Sequence, residues 1–179
     1  MISHMKKILA SIAAVLFISL ALTGCVGGSK VFSASADGGS SLDNPAPAGT
    51  TVRVEGVSYD FDVQFGEVVW NANPEISAEN QFNTPPSEGY QFLMVNVSVR
   101  NNTDAEVMPT VLIYDVQLIA PDGSLSKKGY NVIPNDLLLA GDLAPGDSVS
   151  GNVAFEVPRD ITSGTWLITI DGEEFYVTA

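Results

Sequence analysis

The strongest constraint on this chain is an apolar alternation of period two that recurs in segment after segment and is broken by Gly and Pro turn signals. Val149, Gly151, Val153, Phe155 and Val157 alternate with Ser148, Ser150, Asn152, Ala154 and Glu156. Successive side chains of a strand point to opposite faces, so this pattern half-buries a strand. Leu93, Val95, Val97 and Val99 alternate in the same way with Met94, Asn96, Ser98 and Arg100. Tyr59, Phe61, Val63 and Phe65 share one face, opposite Asp60, Asp62 and Gln64. Further strands are predicted at 51–57, 67–70, 111–120, 130–133, 165–170 and 173–178. Asp171-Gly172 is a two-residue hairpin signal, and Pro121-Asp122-Gly123 and Pro145-Gly146 read as turns. No segment beyond Cys25 sustains an apolar period of 3.6 with caps. A short helical turn is predicted at 134–139, where Asn135 or Asp136 caps Leu137-Leu138-Leu139. This is an all-β pattern whose short, evenly spaced strands specify a β-sandwich.

The exception is the stretch from Asn71 to Gly89, which shows no strand alternation. A loop that long in a compact domain is usually functional or mobile, and Pro74, Pro85 and Pro86 are expected to limit regular structure in it.

Residues 1–24 read differently. Met5-Lys6-Lys7 is basic, and the run from Ile8 to Ala21 carries no charge. A spanning helix needs about 20 apolar residues and this run is shorter, so it fits the core of a secretory signal instead. Leu22-Thr23-Gly24-Cys25 directly behind it resembles the bacterial lipobox, which implies cleavage before Cys25 and acylation of its sulfur. The partner implied there is the lipid bilayer, with the protein on the extracytoplasmic face of a cell membrane. One acyl chain binds a membrane only marginally; the several chains of a lipobox cysteine hold it permanently. From Val26 to Gly49 the composition is Gly, Ser, Ala, Asp and Pro with few large apolar residues, so 25–49 is expected to be a lipidated cysteine and flexible tether. Residues 50–179 then form the sandwich domain, large enough for a single core.

The inventory excludes several chemistries. Loss of residues 1–24 removes Lys6, Lys7 and the sole histidine, His4, and takes the formal charge from −13 to −15. Without histidine there is no Ser-His or Cys-His nucleophile and no imidazole ligand. Cys25 is the only cysteine, so no internal disulfide or thiolate zinc site can form. The acidic surface repels nucleic-acid phosphates, and no nucleic-acid partner is expected.

Two stretches carry a wider resemblance. Glu79-Asn80-Gln81-Phe82-Asn83-Thr84-Pro85-Pro86, then Gly89-Tyr90 and the strand from Phe92 to Asn101, resemble bacterial lipoproteins with a telokin-like domain of unknown function. Ala144-Pro145-Gly146-Asp147-Ser148-Val149-Ser150-Gly151, followed by Phe155-Glu156-Val157-Pro158, is similar to the closing strands of that group, which includes the mycobacterial immunoprotective secreted antigen. The resemblance implies an immunoglobulin-like β-sandwich, exported and cell-associated. It brings no catalytic residues, and the chain lacks the cysteine pair of antibody domains.

The remaining candidates are few. Asp60 and Asp62 lie about 7 Å apart on one strand face, where calcium could use them with loop carbonyls, although two aspartates facing water are ordinary. Carboxylate pairs for hydrolysis are numerous but none is marked, so no enzymatic activity, cofactor or metal is expected. Trp166 fits a core face. Trp70, at the entry to the long loop, is either core or a stacking platform. Phe82, Tyr90 and Tyr130 read either way. The expected function is a non-catalytic binding module that presents Trp70, Glu79, Asn80, Phe82 and Asn83 to a protein, peptide or glycan at the cell surface. The alternatives are a structural accessory domain of an envelope complex, or a calcium-binding or hydrolytic domain.

Overall fold

Each alternating segment becomes a strand with its apolar face turned inward. The computed structural model describes residues 31–56, 59–109 and 115–179. The signal segment, the lipobox and Cys25 lie outside these residues, as do position 57 of the strand predicted at 51–57 and positions 111–114 of the one predicted at 111–120. The strands are β1 (Phe32–Ala34), β2 (Thr51–Glu55), β3 (Asp60–Val69), β4 (Tyr90–Asn101), β5 (Val116–Ile119), β6 (Lys127–Lys128), β7 (Ser148–Pro158), β8 (Thr165–Ile170) and β9 (Glu173–Thr178). One antiparallel sheet runs β1-β2-β3-β4-β7-β6 and the other β5-β8-β9. They enclose one core, in which Phe61, Leu93, Val95, Val153 and Phe155 meet Leu118, Trp166, Ile168 and Val177. The protein is a β-sandwich, as the alternation required. Trp166 is fully buried, stacked on Phe65 with centroids 5.0 Å apart and tilted against Phe155 at 5.5 Å. Such aromatic pairs add about 0.5–1.5 kcal/mol beyond the area they bury.

The separation of 59–65 from 67–70 in the sequence has a structural cause. Both belong to β3, and the register against β4 slips by one residue between Phe65 and Val68. A bulge of this kind reverses which parity faces inward. Phe61, Val63 and Phe65 point into the core before it, and Val68 and Trp70 pack against the core after it.

Three expectations need correction. The tether expected over 25–49 is instead tied to both sheets at several points of its described part. Phe32–Ala34 pairs with Val52–Val54 as the edge strand, and the Phe32 ring sits 5.6 Å from that of Phe175. Gly39 accepts and donates backbone hydrogen bonds with Tyr176 and Asn44, and Ala46 pairs with Val177. Gly39 takes φ +86°, and a Cβ there would overlap the Phe175 ring at 2.1 Å. Glycine permits this crossing, so a composition that looks like linker is a wrap over the second sheet. The domain therefore begins before residue 50. Second, no strand forms at 130–133; the strand beside β7 is the two-residue β6. Third, the 71–89 stretch contains helix α1 (Asn73–Glu79), with Pro74 in its first turn. Proline is favoured there because its missing N–H has no helical acceptor.

Helix α1 gives the larger sheet a second buried face. Phe92 and Met94 point away from the sandwich core and are covered by Ala72, Ile76, Ile133 and Ala154. The turn at Leu137–Leu139 is a 3-10 turn capped by the Asp136 carboxylate, which accepts from the Leu138 N–H at 2.9 Å. Asp171 and Gly172 both take positive φ, as the predicted hairpin turn demands. Asn101, fully buried at the end of β4, donates to Ala105 O and Leu143 O and accepts from the Thr103 N–H and hydroxyl. The Asn101 side chain thus closes the Asn-Asn-Thr turn, while the Asn102 amide nitrogen is buried without a hydrogen-bond partner among the described residues.

The sandwich has two ends. Val31, Glu55, Asp60, Asn101 and the Asp171-Gly172 turn mark one; Trp70, Tyr90, Pro158 and Thr165 mark the other. The 12 residues of β4 run from one to the other, a span of about 40 Å at 3.3–3.4 Å per residue.

Candidate interaction site

The segment following α1 is held by its asparagines. Asn83 donates its amide to Ile76 O at 2.6 Å and to Val132 O at 2.7 Å, and its carbonyl accepts from the Val132 N–H at 2.9 Å. Asn131 and Thr84 exchange a reciprocal pair at 3.2 Å. Two connecting segments distant in sequence thus form a clasp over the outer face of the larger sheet. Ile133 and Ile76 lie beneath it in the satellite core.

The clasp leaves aromatic surface outside. Phe82 is 82% exposed and Tyr130 84%, with Val132 at 45%. The Asn80 carbonyl accepts from the Phe82 N–H at 2.9 Å, an Asx turn that fixes the backbone under the phenyl ring. Beside the clasp, a groove of about 340 Å³ opens on the same sheet face, lined by Glu67, Val69, Met94, Asn96 and Asn152. Asn96 donates to Asn152, whose own amide donates to Pro134 O.

The predicted residues divide into three groups. Phe82 and Glu79 are exposed and available to a partner. Asn80 and Asn83 are spent on backbone hydrogen bonds and position the surface. Trp70 packs against the main core, and its carbonyl accepts from Gln91 at 2.7 Å, so it is no open platform. Tyr130 and Val132 were missed as part of the same surface. The pairings of Asn83 with Val132 and of Thr84 with Asn131, far apart along the chain, bring them there, and no local pattern encodes them.

Arg53 is engaged in ordinary surface pairing. Arg53 makes a two-pronged contact with Asp60 and a 3.2 Å ion pair with Glu55, which raises the pKa of its guanidinium. Asp62 lies opposite Arg53 and Arg100 in the sheet register. No group of three or more potential metal ligands occurs among the described residues. The Asp122 carboxyl is lowered by hydrogen bonds from the Ser124 hydroxyl and N–H, as in a closed turn. Burial lowers the Lys128 amine, against the opposing pull of Asp115.

These features define a two-sheet β-sandwich with a stapled aromatic clasp. The chain belongs to the family described as a domain of unknown function, DUF4352, whose model matches residues 57–176. Among solved structures it is similar to the secreted protein MPT63 from Mycobacterium tuberculosis, at 11% identity and a TM-score of 0.51, covering 75% of this chain and 95% of that one. It is also similar to an uncharacterized β-sandwich protein from Clostridium difficile, at 12% identity and TM-score 0.44 over 75% and 93% of the two chains. A candidate lipoprotein, ycdA, from Bacillus subtilis matches at 15% identity and TM-score 0.43, over 66% of this chain and 36% of that one. At these identities the likeness concerns the fold. Comparison with curated proteins yields no match.

Proposed function

We propose that this protein is an extracytoplasmic lipoprotein, held to a membrane by acylated Cys25, and that it acts as a non-catalytic module binding another protein through the clasp. Neighbours described as a secreted protein and as a candidate lipoprotein support export. The lipobox-like Leu22-Thr23-Gly24-Cys25 supports the anchor. The observation that carries the binding role is the exposure of Phe82 and Tyr130 on backbone pinned by Asn80, Asn83 and Asn131. An ordered exposed aromatic loses little further entropy on binding, and aromatics are enriched in interface anchors. The absence of histidine beyond residue 24 supports the non-catalytic reading.

The test is crosslinking capture from the cell envelope with wild type, Phe82→Ala/Tyr130→Ala and Cys25→Ser. The aromatic double variant should keep its thermal stability and lose the captured protein. Cys25→Ser should leave the membrane fraction. Capture undiminished in the double variant would remove the clasp from the account, and unmodified Cys25 by intact mass would remove the anchor.

A further inference from the structure

The order of residues 31–49 fixes how an anchored domain must stand, because it shortens the leash. The Val31 carbonyl accepts from the Glu55 N–H at 2.9 Å, and β1 follows at Phe32. Only six Cα steps separate Cys25 from Val31. At 3.3–3.6 Å per residue these span at most about 20 Å, whatever conformation they take. A tether running on to Gly49 would have had a typical reach of about 25–30 Å and a contour several times that.

We infer that the Glu55 end of the sandwich faces the bilayer within about 20 Å, and that the Tyr90 end, with the clasp, faces outward. The inference rests on the lipid anchor proposed above. Val31 enters at the Glu55 end, and β4 places Tyr90 about 40 Å away along the strand direction. A leash of half that length cannot bring the Tyr90 end to the membrane while the domain stands upright.

Charge opposes the flat posture. The near end carries Asp104, Glu106, Asp171 and Glu173 beside the Arg53–Glu55 ion pair, and the chain beyond residue 24 has a formal charge of −15. Anionic headgroups repel these groups within a Debye length of about 8 Å at physiological ionic strength. The leash is longer than that, so the near end can stand outside the repelled layer. Lying flat would bring acidic groups along the whole strand length into it. The bilayer-facing end is therefore held without adsorbing, and the clasp is open to partners arriving from outside.

The test uses the full chain, processed by a bacterial host, extracted from its membranes and reconstituted into phosphatidylcholine–phosphatidylglycerol vesicles carrying a headgroup energy acceptor. A donor dye is placed on Glu173→Cys at the near end or on Ser163→Cys at the far end; both positions are exposed. Transfer from position 173 should exceed that from 163 by at least about twofold, given the ~40 Å strand length between the ends. A long Gly/Ser insert after Cys25 should erase most of the difference. Equal transfer from both sites in vesicle-bound protein, or no effect of the insert, would overturn the orientation while leaving the anchor intact. Protein found only in the soluble fraction would overturn the anchor, and the orientation with it.

Discussion

Asn83→Ala should cost stability out of proportion to its position on a surface loop. The side chain makes three hydrogen bonds, to Ile76 O, Val132 O and the Val132 N–H. A net hydrogen bond is worth about 0.5–1.5 kcal/mol, and values fall toward the lower end where water can replace the partner. Two of the three here are exposed, so the loss should total about 2 kcal/mol. For a domain of this size that lowers Tm by about 4–8 °C. Asn83→Asp separates this mechanism from simple truncation. It preserves volume and one acceptor but aims a carboxylate oxygen at two carbonyls that need donors, so it should cost more than Ala at neutral pH. Asn80→Ala is the internal control, because Asn80 accepts one exposed hydrogen bond worth roughly 0.5 kcal/mol. Urea unfolding gives the order, read as midpoint shifts at constant m. Amide exchange should show faster opening at Val132. If Asn83→Ala and Asn83→Asp were no worse than Asn80→Ala, the clasp would not be held as described.

Four further outcomes are expected. Phe32→Ala should destabilise the domain by about 1–2 kcal/mol through lost burial and the Phe175 contact, whereas a residue in a free tether would give no change in chemical denaturation. Gly151→Ala should cost about 1–3 kcal/mol, because its Cβ would meet the Leu137 backbone at 2.8 Å where nothing can yield cheaply; calorimetry measures it. Phe155→Asp should abolish cooperative unfolding, since Phe155 is 1% exposed and its replacement buries an unpaired charge; circular dichroism with temperature checks this. Burial, then Asp115 and Asp171, raises the Tyr59 phenol above its ordinary pKa of 10.0. The unfolded chain therefore releases that proton first, and the stabilisation present below the ordinary value is lost as pH rises through the folded one. Tyr59→Phe keeps the stack on Phe61 and should flatten the alkaline loss in a pH series of denaturation midpoints.

The sandwich was legible because strand burial leaves a period-two record that Leu93–Val99 and Val149–Val157 keep without interruption. The Asp171-Gly172 turn was legible because positive φ at two successive positions admits few residue pairs. The wrap over 31–49 was not, since its contacts are backbone pairing and one aromatic ring crossing a glycine, and linkers share that composition. Helix α1 was missed because its seven residues are too few to show a period, and Pro74, expected to limit regular structure there, sits in the helix's first turn. The clasp was half legible. Its Asn80-Gln81-Phe82-Asn83 side stood out in the sequence, but Tyr130 and Val132 join it only through hydrogen bonds between segments remote along the chain.

The clasp as binding surface is tested most directly by a photo-crosslinking residue placed singly at Phe82, Tyr130, Ser163 or Glu173 of the anchored protein in intact cells. All four positions are exposed, so accessibility alone does not distinguish them. A discrete protein adduct should form from positions 82 and 130 and be absent or weak from 163 and 173. Adducts of equal yield from all four, or from 163 and 173 alone, would contradict the assignment of the clasp.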